Sequence, residues 1–210
     1  MNTLLEYYRS GGPIMHAILA IAILGLSVFF ERVYVIIFQS QGNSRPFIEK
    51  VLGLAKAGKT EEAAKLCAGT KGAIGHIGEL VLRSASRAES DLQNAADAAS
   101  VGALPALTRR LHYLPMLANV ATLFGLLGTI FGLREAFASV ALVSAAERSG
   151  KLAGGIAIAL NATGFGLLVA IPMTLAHGWL ASRAEVAIER ADEFSVRLIN
   201  ALSAKTTRDE

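Results

Sequence analysis

Residues 123–133 read LFGLLGTIFGL. The stretch has no charge, yet it keeps Gly125, Gly128 and Gly132, and one hydroxyl at Thr129, where Leu or Ile would bury more surface. Glycine inside a helix costs roughly 0.5–1 kcal/mol against alanine, so glycines at this density call for a compensating contact. In lipid that contact is the close approach of another backbone, because helix association there runs on packing. The charge-free run around the stretch extends from Tyr113 to Leu133, 21 residues. That length crosses a hydrocarbon core, where only a helix satisfies its own backbone.

Two more such runs lie on either side. Pro13–Phe30, PIMHAILAIAILGLSVFF, has 18 residues and is lengthened by VYVIIF after Glu31–Arg32. A cleaved signal peptide is not expected: the leading region holds Glu6 beside Arg9, and no small-residue cleavage site precedes the charges. Leu152–Leu180 has 29 residues without a charge. The composition agrees, with 53% hydrophobic and 18% charged residues and a mean hydropathy of +0.47. A soluble domain is closer to half and a quarter.

Basic residues set the expected orientation. Residues 39–112 hold ten Lys or Arg and the tail after the third run holds five, whereas the leading stub has only Arg9 and residues 139–151 only Arg148 and Lys151. The reading is a periplasmic N-terminus (1–12), transmembrane helix 1 (13–38), a cytoplasmic helical region (39–112), transmembrane helix 2 (113–138), a periplasmic loop (139–151), transmembrane helix 3 (152–181) and a cytoplasmic C-terminal helix (182–210). The fold class is all-α. Within 39–112, PFIEKVLGLAKAG carries a helical stripe ended by Gly58, Thr60 is expected as the N-cap of TEEAAKLC, and Pro105 as a kink or a new helix start. SRAEVAIERADEFSVRLINALSAK reads as a continuation of the third helix.

Several functions find no support in the residues. Net charge is +3 and no basic patch interleaves with aromatics, so nucleic acid is not an expected partner. The single Cys67 and the scattered His16, His76, His112 and His177 offer neither a disulfide nor a metal site, and no cofactor is expected. No nucleophile–base pair or phosphate loop suggests an enzyme.

The polar atoms inside the spans remain. Gly125 and Thr129, and Gly128 and Gly132, stand four apart and form a small-residue face, and Thr122 shares the direction of Thr129. The third run has its own small-residue region with Thr163, Gly164 and Gly166, and with Asn161 as its strongest polar group. Counting from the span ends puts Thr129 and Thr163 at similar depth. Such features can be packing alone, since an intramembrane Thr often bonds its own helix. No Asp, Glu, Lys or Arg occupies the cores of spans two and three, so a conducted proton would need a titrating group from elsewhere.

ANVATLFGLLGTIFGLREAF (118–137), IALNATGFGLLVAIP (158–172) and GGPIMHAILAIAILGLSVFFERVYV (11–35) together resemble the MotA/TolQ/ExbB proton-channel family, and its ExbB/TolQ-like branch most closely. The resemblance implies a homopentamer in the bacterial inner membrane. Its second and third spans would line a pore threaded by a dimer of single-span ExbD/TolR-like partners that supply a membrane Asp, with a TonB-like protein as a further partner. Proton flow then drives rotation that does work at the cell envelope: energised TonB-type transport, Tol-type envelope maintenance or gliding motility. Family threonines thought to line the pore correspond to Thr129 and Thr163. Two departures stand out. Ile158 occupies the place of a common membrane Glu, leaving Asn161 as the nearby polar group, and Thr122 stands where many relatives have Pro. A non-conducting scaffold built on the same packing is the alternative of another class. Glu31, Arg32 and Trp179 read as membrane-interface residues, with Arg32 snorkelling to the lipid boundary, Arg134–Glu135 as boundary charges, and Pro172 as a kink.

Overall fold

The computed structural model describes residues 12–38, 45–85 and 89–209. The expected N-terminal stub, apart from Gly12, lies outside them, as do residues 39–44 and the side chains of Lys205 and Arg208. Helices α1 (Ile14–Val33), α2 (Arg45–Lys56), α3 (Thr60–Ala68), α4 (Ala73–Arg83), α5 (Glu89–Ala103), α6 (Pro105–Thr108), α7 (Tyr113–Val140) and α8 (Arg148–Asp209) follow in order, with a π-helical turn at Tyr34–Phe38 after α1. No strand occurs among the described residues. Among the described residues three helices are long and apolar enough to cross a membrane: Ile14–Ile37, the one ending at Val140, and the one beginning at Arg148.

The chain divides into two compact units. The first takes the residues up to Phe30 and Arg110–Trp179. Its centre is a three-helix contact. Ile18 and Ile21 of α1 pack with Ala121 of α7, flanked by Leu117, Val120 and Phe124 on α7 and by Phe165 and Val169 on α8. A second cluster joins Ala118, Ala170 and Met173. Gly25 makes room for the Met173 thioether, whose Sδ lies 2.8 Å from where a Cβ would stand.

The second unit takes Glu31–Arg109 and everything from Leu180 onward. Here short amphipathic helices bury one stripe each: Ile48, Val51, Leu52 and Ala55 on α2, Ala63 and Cys67 on α3. Gly58, at φ +79°, ends the first hairpin arm as the sequence suggests, because a left-handed residue there favours glycine. Phe194 of α8 is fully buried and its ring lies 3.2 Å from the Cβ position of Gly78 on α4.

One expectation shifts by a residue, and one of two alternatives is chosen. Lys59 rather than Thr60 occupies the N-cap of α3 and makes no side-chain cap, so Thr60 becomes the first helical residue. Pro105 stands at the first turn of a new helix, where its missing N–H costs nothing. α8 begins at Arg148 and runs unbroken through Pro172 into the C-terminal region.

Candidate functional site

The glycines of the opening stretch find their partner inside the same chain. Leu114, Ala118, Ala121, Gly125, Gly128, Gly132 and Ala136 form the buried stripe of α7. A Cβ on Gly125 would lie 3.2 Å from Thr163 Cα and 3.3 Å from Ala162 O; one on Gly132 would lie 3.0 Å from the backbone N of Ala159. From the other side, a Cβ on Gly166 would stand 2.8 Å from Ala121 O, and one on Gly155 would stand 3.2 Å from Gly132 O. Gly128 faces Ala162 in the same seam. These contacts are mostly to backbone atoms, which cannot swing away. The glycines therefore set how closely α7 and α8 approach. Gly164 is not part of the seam: it lies two residues from both Ala162 and Gly166, which turns it to the far side of α8.

The seam also fixes the register. Gly125 lies level with Thr163, Gly128 with Ala162, and Gly132 with Ala159. Thr129 is therefore level with residues 160–161, and Thr163 sits two to three residues, about 4 Å, deeper. The two threonines thus lie within one helical turn of each other in depth, close to what counting from the span ends gives.

Helical geometry at about 100° per residue sorts the polar residues into flanks. α1 covers the α7 flank that carries Leu117, Val120 and Phe124, and the α8 flank that carries Phe165 and Val169. Thr122 and Thr129 fall on the opposite flank of α7, and Thr163 falls on the matching flank of α8. Asn161, two residues before Thr163, lies some 200° around the helix, toward the flank that α1 takes. Helical geometry so places three of the four expected polar residues on one flank, along the groove between α7 and α8 that α1 does not cover, and leaves Asn161 elsewhere. A fourth hydroxyl joins them. Thr174 stands eleven residues, three turns, after Thr163 on the same face of α8. That spacing is legible in the sequence.

Every one of these hydroxyls donates its proton to a backbone carbonyl. Thr122 Oγ1 donates to Ala118 O at 3.1 Å, Thr129 Oγ1 to Leu126 O at 2.6 Å, and Thr174 Oγ1 to Ala170 O at 3.0 Å. Thr163 Oγ1 donates across the seam to Gly125 O at 3.1 Å. Each oxygen keeps lone pairs free. In this state the groove accepts hydrogen bonds and offers none from its threonines.

Toward the end of α7, two cavities of about 750 Å³ and 650 Å³ share Gly132, Glu135 and Ile158 in their linings. Arg134 lines the first, and Glu147 and Lys151 line the second. In the connection after α7, the Ser144 hydroxyl bonds the Glu147 carboxylate at 2.7 Å and holds that acid below its ordinary value. Ile158 thus stands where two polar-rimmed cavities meet, as an apolar side chain. Among the described residues no three His, Cys, Asp or Glu side chains are placed to hold a metal ion.

At the other end of α1, Arg32 does not reach out to a boundary as the snorkelling reading has it. It is 5% exposed. Its Nη1 donates to Arg109 O at 2.6 Å and Ala106 O at 3.3 Å, while Nη2 pairs with Glu31 Oε1 at 2.9 Å. Two carbonyls left open where α6 ends give a guanidinium more than water does, so the side chain folds inward. Trp179, 45% exposed, stays at the surface of α8.

Comparison with known proteins agrees with this architecture. An ExbB homolog of Methanothermobacter thermautotrophicus is 27% identical over 191 residues, 91% of this chain and 67% of its own. An ExbB-like protein of Synechocystis is 32% identical over 170 residues, 79% of each chain. The Tol-Pal system protein TolQ of Pseudomonas aeruginosa is 40% identical over 92 residues, 40% of this chain and 39% of its own. The sequence profile of the MotA/TolQ/ExbB proton channel family matches residues 60–193, from the start of α3 deep into α8. A three-span helical chain with a glycine seam between its last two spans, matched over most of its length, belongs to the MotA/TolQ/ExbB proton channel family, in its ExbB/TolQ-like branch.

Proposed function

We propose that this chain is the stator and proton-channel subunit of an envelope motor in the inner membrane, with its N-terminus periplasmic and its C-terminus cytoplasmic. It works as a homo-oligomer, a pentamer by analogy with the family, around a dimer of single-span ExbD/TolR-like partners. The observation that carries this is the groove. Thr122, Thr129, Thr163 and Thr174 share the side of the α7–α8 pair that α1 leaves open, in a part of the chain without a charged residue. A path of hydroxyls without a titrating group needs one brought to it. A partner Asp meets that need, with its acid form favoured by desolvation.

The hydroxyl geometry says which form of that Asp the groove receives. With all four donors held by carbonyls, the threonines accept the proton of a neutral carboxylic acid. To meet the ionised carboxylate a threonine must turn its O–H away from its carbonyl. For Thr163 that breaks the bond to Gly125 across the seam, so loss of the proton loosens the α7–α8 contact. Each charge moved through 100 mV supplies about 2.3 kcal/mol, on the scale of such a bond. Ile158 contributes no carboxylate of its own to this cycle.

Energised TonB-type transport is the favoured task, with a TonB-like protein downstream. Two ExbB-named relatives align over 91% and 79% of the chain, while others named ExbB, like TolQ, align over less than half of it. Tol-type envelope maintenance uses the same machinery and stays the second reading. The test is proton flux into liposomes that hold the chain with and without an ExbD-like partner. Flux is expected only with the partner, and Thr129→Val with Thr163→Val abolishes it. Flux without a partner that ignores both substitutions overturns the reading, and a tight oligomer unaffected by them supports a scaffold instead.

A further inference from the structure

The first residue of α2 and the cytoplasmic stretch of α8 enclose a cavity of about 270 Å³ whose charges do not match. Three arginines, Arg45, Arg190 and Arg197, line it with two glutamates, Glu49 and Glu193. Both carboxylates are taken by one arginine: Arg197 Nη2 donates to Glu49 Oε1 at 2.6 Å, and Nη1 to Glu193 Oε1 at 3.4 Å. Those bonds raise the Arg197 guanidinium above its ordinary value. Arg45 and Arg190 have no ion pair and no hydrogen-bonded partner among the described residues. Two forked, permanently charged donors therefore open onto one space with no acid left to answer them.

We propose that this cavity is an anion site for a phosphate group, free or as a monoester. Like charges lining one cavity disfavour each other, and an anion between them reverses the sign of that interaction. A dianion matches the two unanswered arginines, which a chloride or a single carboxylate does not. Its tetrahedral oxygens also suit paired N–H donors from two guanidinium forks. Bound there, the phosphate bridges Arg45 on α2 to Arg190 on α8, beside the existing Glu49–Arg197 link. The ligand thus fastens the first cytoplasmic helix to the extension of the third span. This site is independent of the proton path, and its failure leaves the groove reading untouched.

The test uses the full chain in nanodiscs of neutral lipid, titrated with inorganic phosphate and with glycerol 3-phosphate at constant ionic strength set by chloride. A saturable rise in Tm is expected with either phosphate and none with chloride. Arg45→Gln and Arg190→Gln each weaken the affinity, and together weaken it at least about tenfold, the loss of one or more charge-assisted hydrogen bonds. Arg148→Gln, outside the cavity, changes nothing. Both cavity arginines are exposed, so the unliganded Tm of each variant reports whether the fold is kept. A second arm replaces part of the neutral lipid with phosphatidic acid and omits soluble phosphate. A rise in Tm there alone, lost in the double variant, assigns the phosphate to a lipid headgroup. Equal shifts with phosphate and chloride, or unchanged binding by the double variant in both arms, overturn the site.

Discussion

Gly166 and Gly154 lie on the same helix and carry the same side chain, yet substitution should affect them in opposite directions. A methyl on Gly166 meets the Ala121 carbonyl at 2.8 Å and Gly125 Cα at 3.1 Å, both backbone atoms of α7. Nothing lies within 4 Å of the Cβ position of Gly154. Gly166→Ala must push the two spans apart and is expected to lower stability by about 1–3 kcal/mol, the usual cost of overpacking. Gly154→Ala is expected to be neutral or to stabilise by up to about 1 kcal/mol, because alanine loses less backbone entropy in a helix. Thermal unfolding of the two variants in one detergent compares them directly. Equal effects would mean that the seam does not set the helix approach. That the glycines needed a close neighbour was legible in LFGLLGTIFGL itself. Which neighbour was not: spacing on α7 names a face, and only the folded structure shows that α8 of the same chain covers it. Arg32 was misread for a related reason. Its position at the end of an apolar run suggests a lipid boundary, while the carbonyls that draw it inward lie more than seventy residues away in sequence.

At the scale of elements, each long apolar helix was legible because absence of charge over a fixed length is a local property, as was the continuation of α8 beyond its charge-free run. Caps and register were less so, since they depend on a residue or two and on a partner. Thr60 lost the N-cap to its neighbour, and which residues of α8 lie level with those of α7 is set by the glycine seam. The α3–α4 pair supplies a test of the second unit. Cys67 is fully buried on α3, its sulfur 2.7 Å from the Cβ position of Gly78 on α4. Burial, with the negative charge of Glu79 adding to it, pushes the thiol from 9.0 up to about 12. A thiol with a raised folded value is neutral when folded, so the stability its burial contributes is whole below pH 9.0 and fades as pH climbs toward 12. Iodoacetamide at pH 8 is therefore expected to leave Cys67 unmodified in the native chain and to modify it fully in SDS, read by intact mass. Rapid native modification would show that α3 and α4 do not pack as described.

For the whole molecule, the open question is which surfaces meet water, lipid and other chains once it sits in a membrane. Apolar side chains cover much of the outside of the spans, Leu24 on α1 and Leu123 and Ile130 on α7 among them, all more than half exposed. Lipid or another subunit suits such surfaces equally, so their apolarity alone does not find the path. The threonine groove differs in its hydroxyls and in lying opposite α1, which leaves it as the face on which a hydrated path can form. Thiol chemistry can tell the two kinds of surface apart, because a cysteine reacts as its thiolate and ionises only where water reaches it. The native Cys67 need not be removed, since its buried thiol stays protonated. In membranes, a Thr129→Cys variant is expected to react with a charged, membrane-impermeant methanethiosulfonate, while a Leu24→Cys variant does not. Co-expression of an ExbD-like partner should slow the first reaction and leave the second unchanged if, as proposed, the partner helix occupies the groove and not the outer face of α1. Equal reactivity at the two positions, or a partner that protects Leu24→Cys instead, would put the path on another face of the helix bundle.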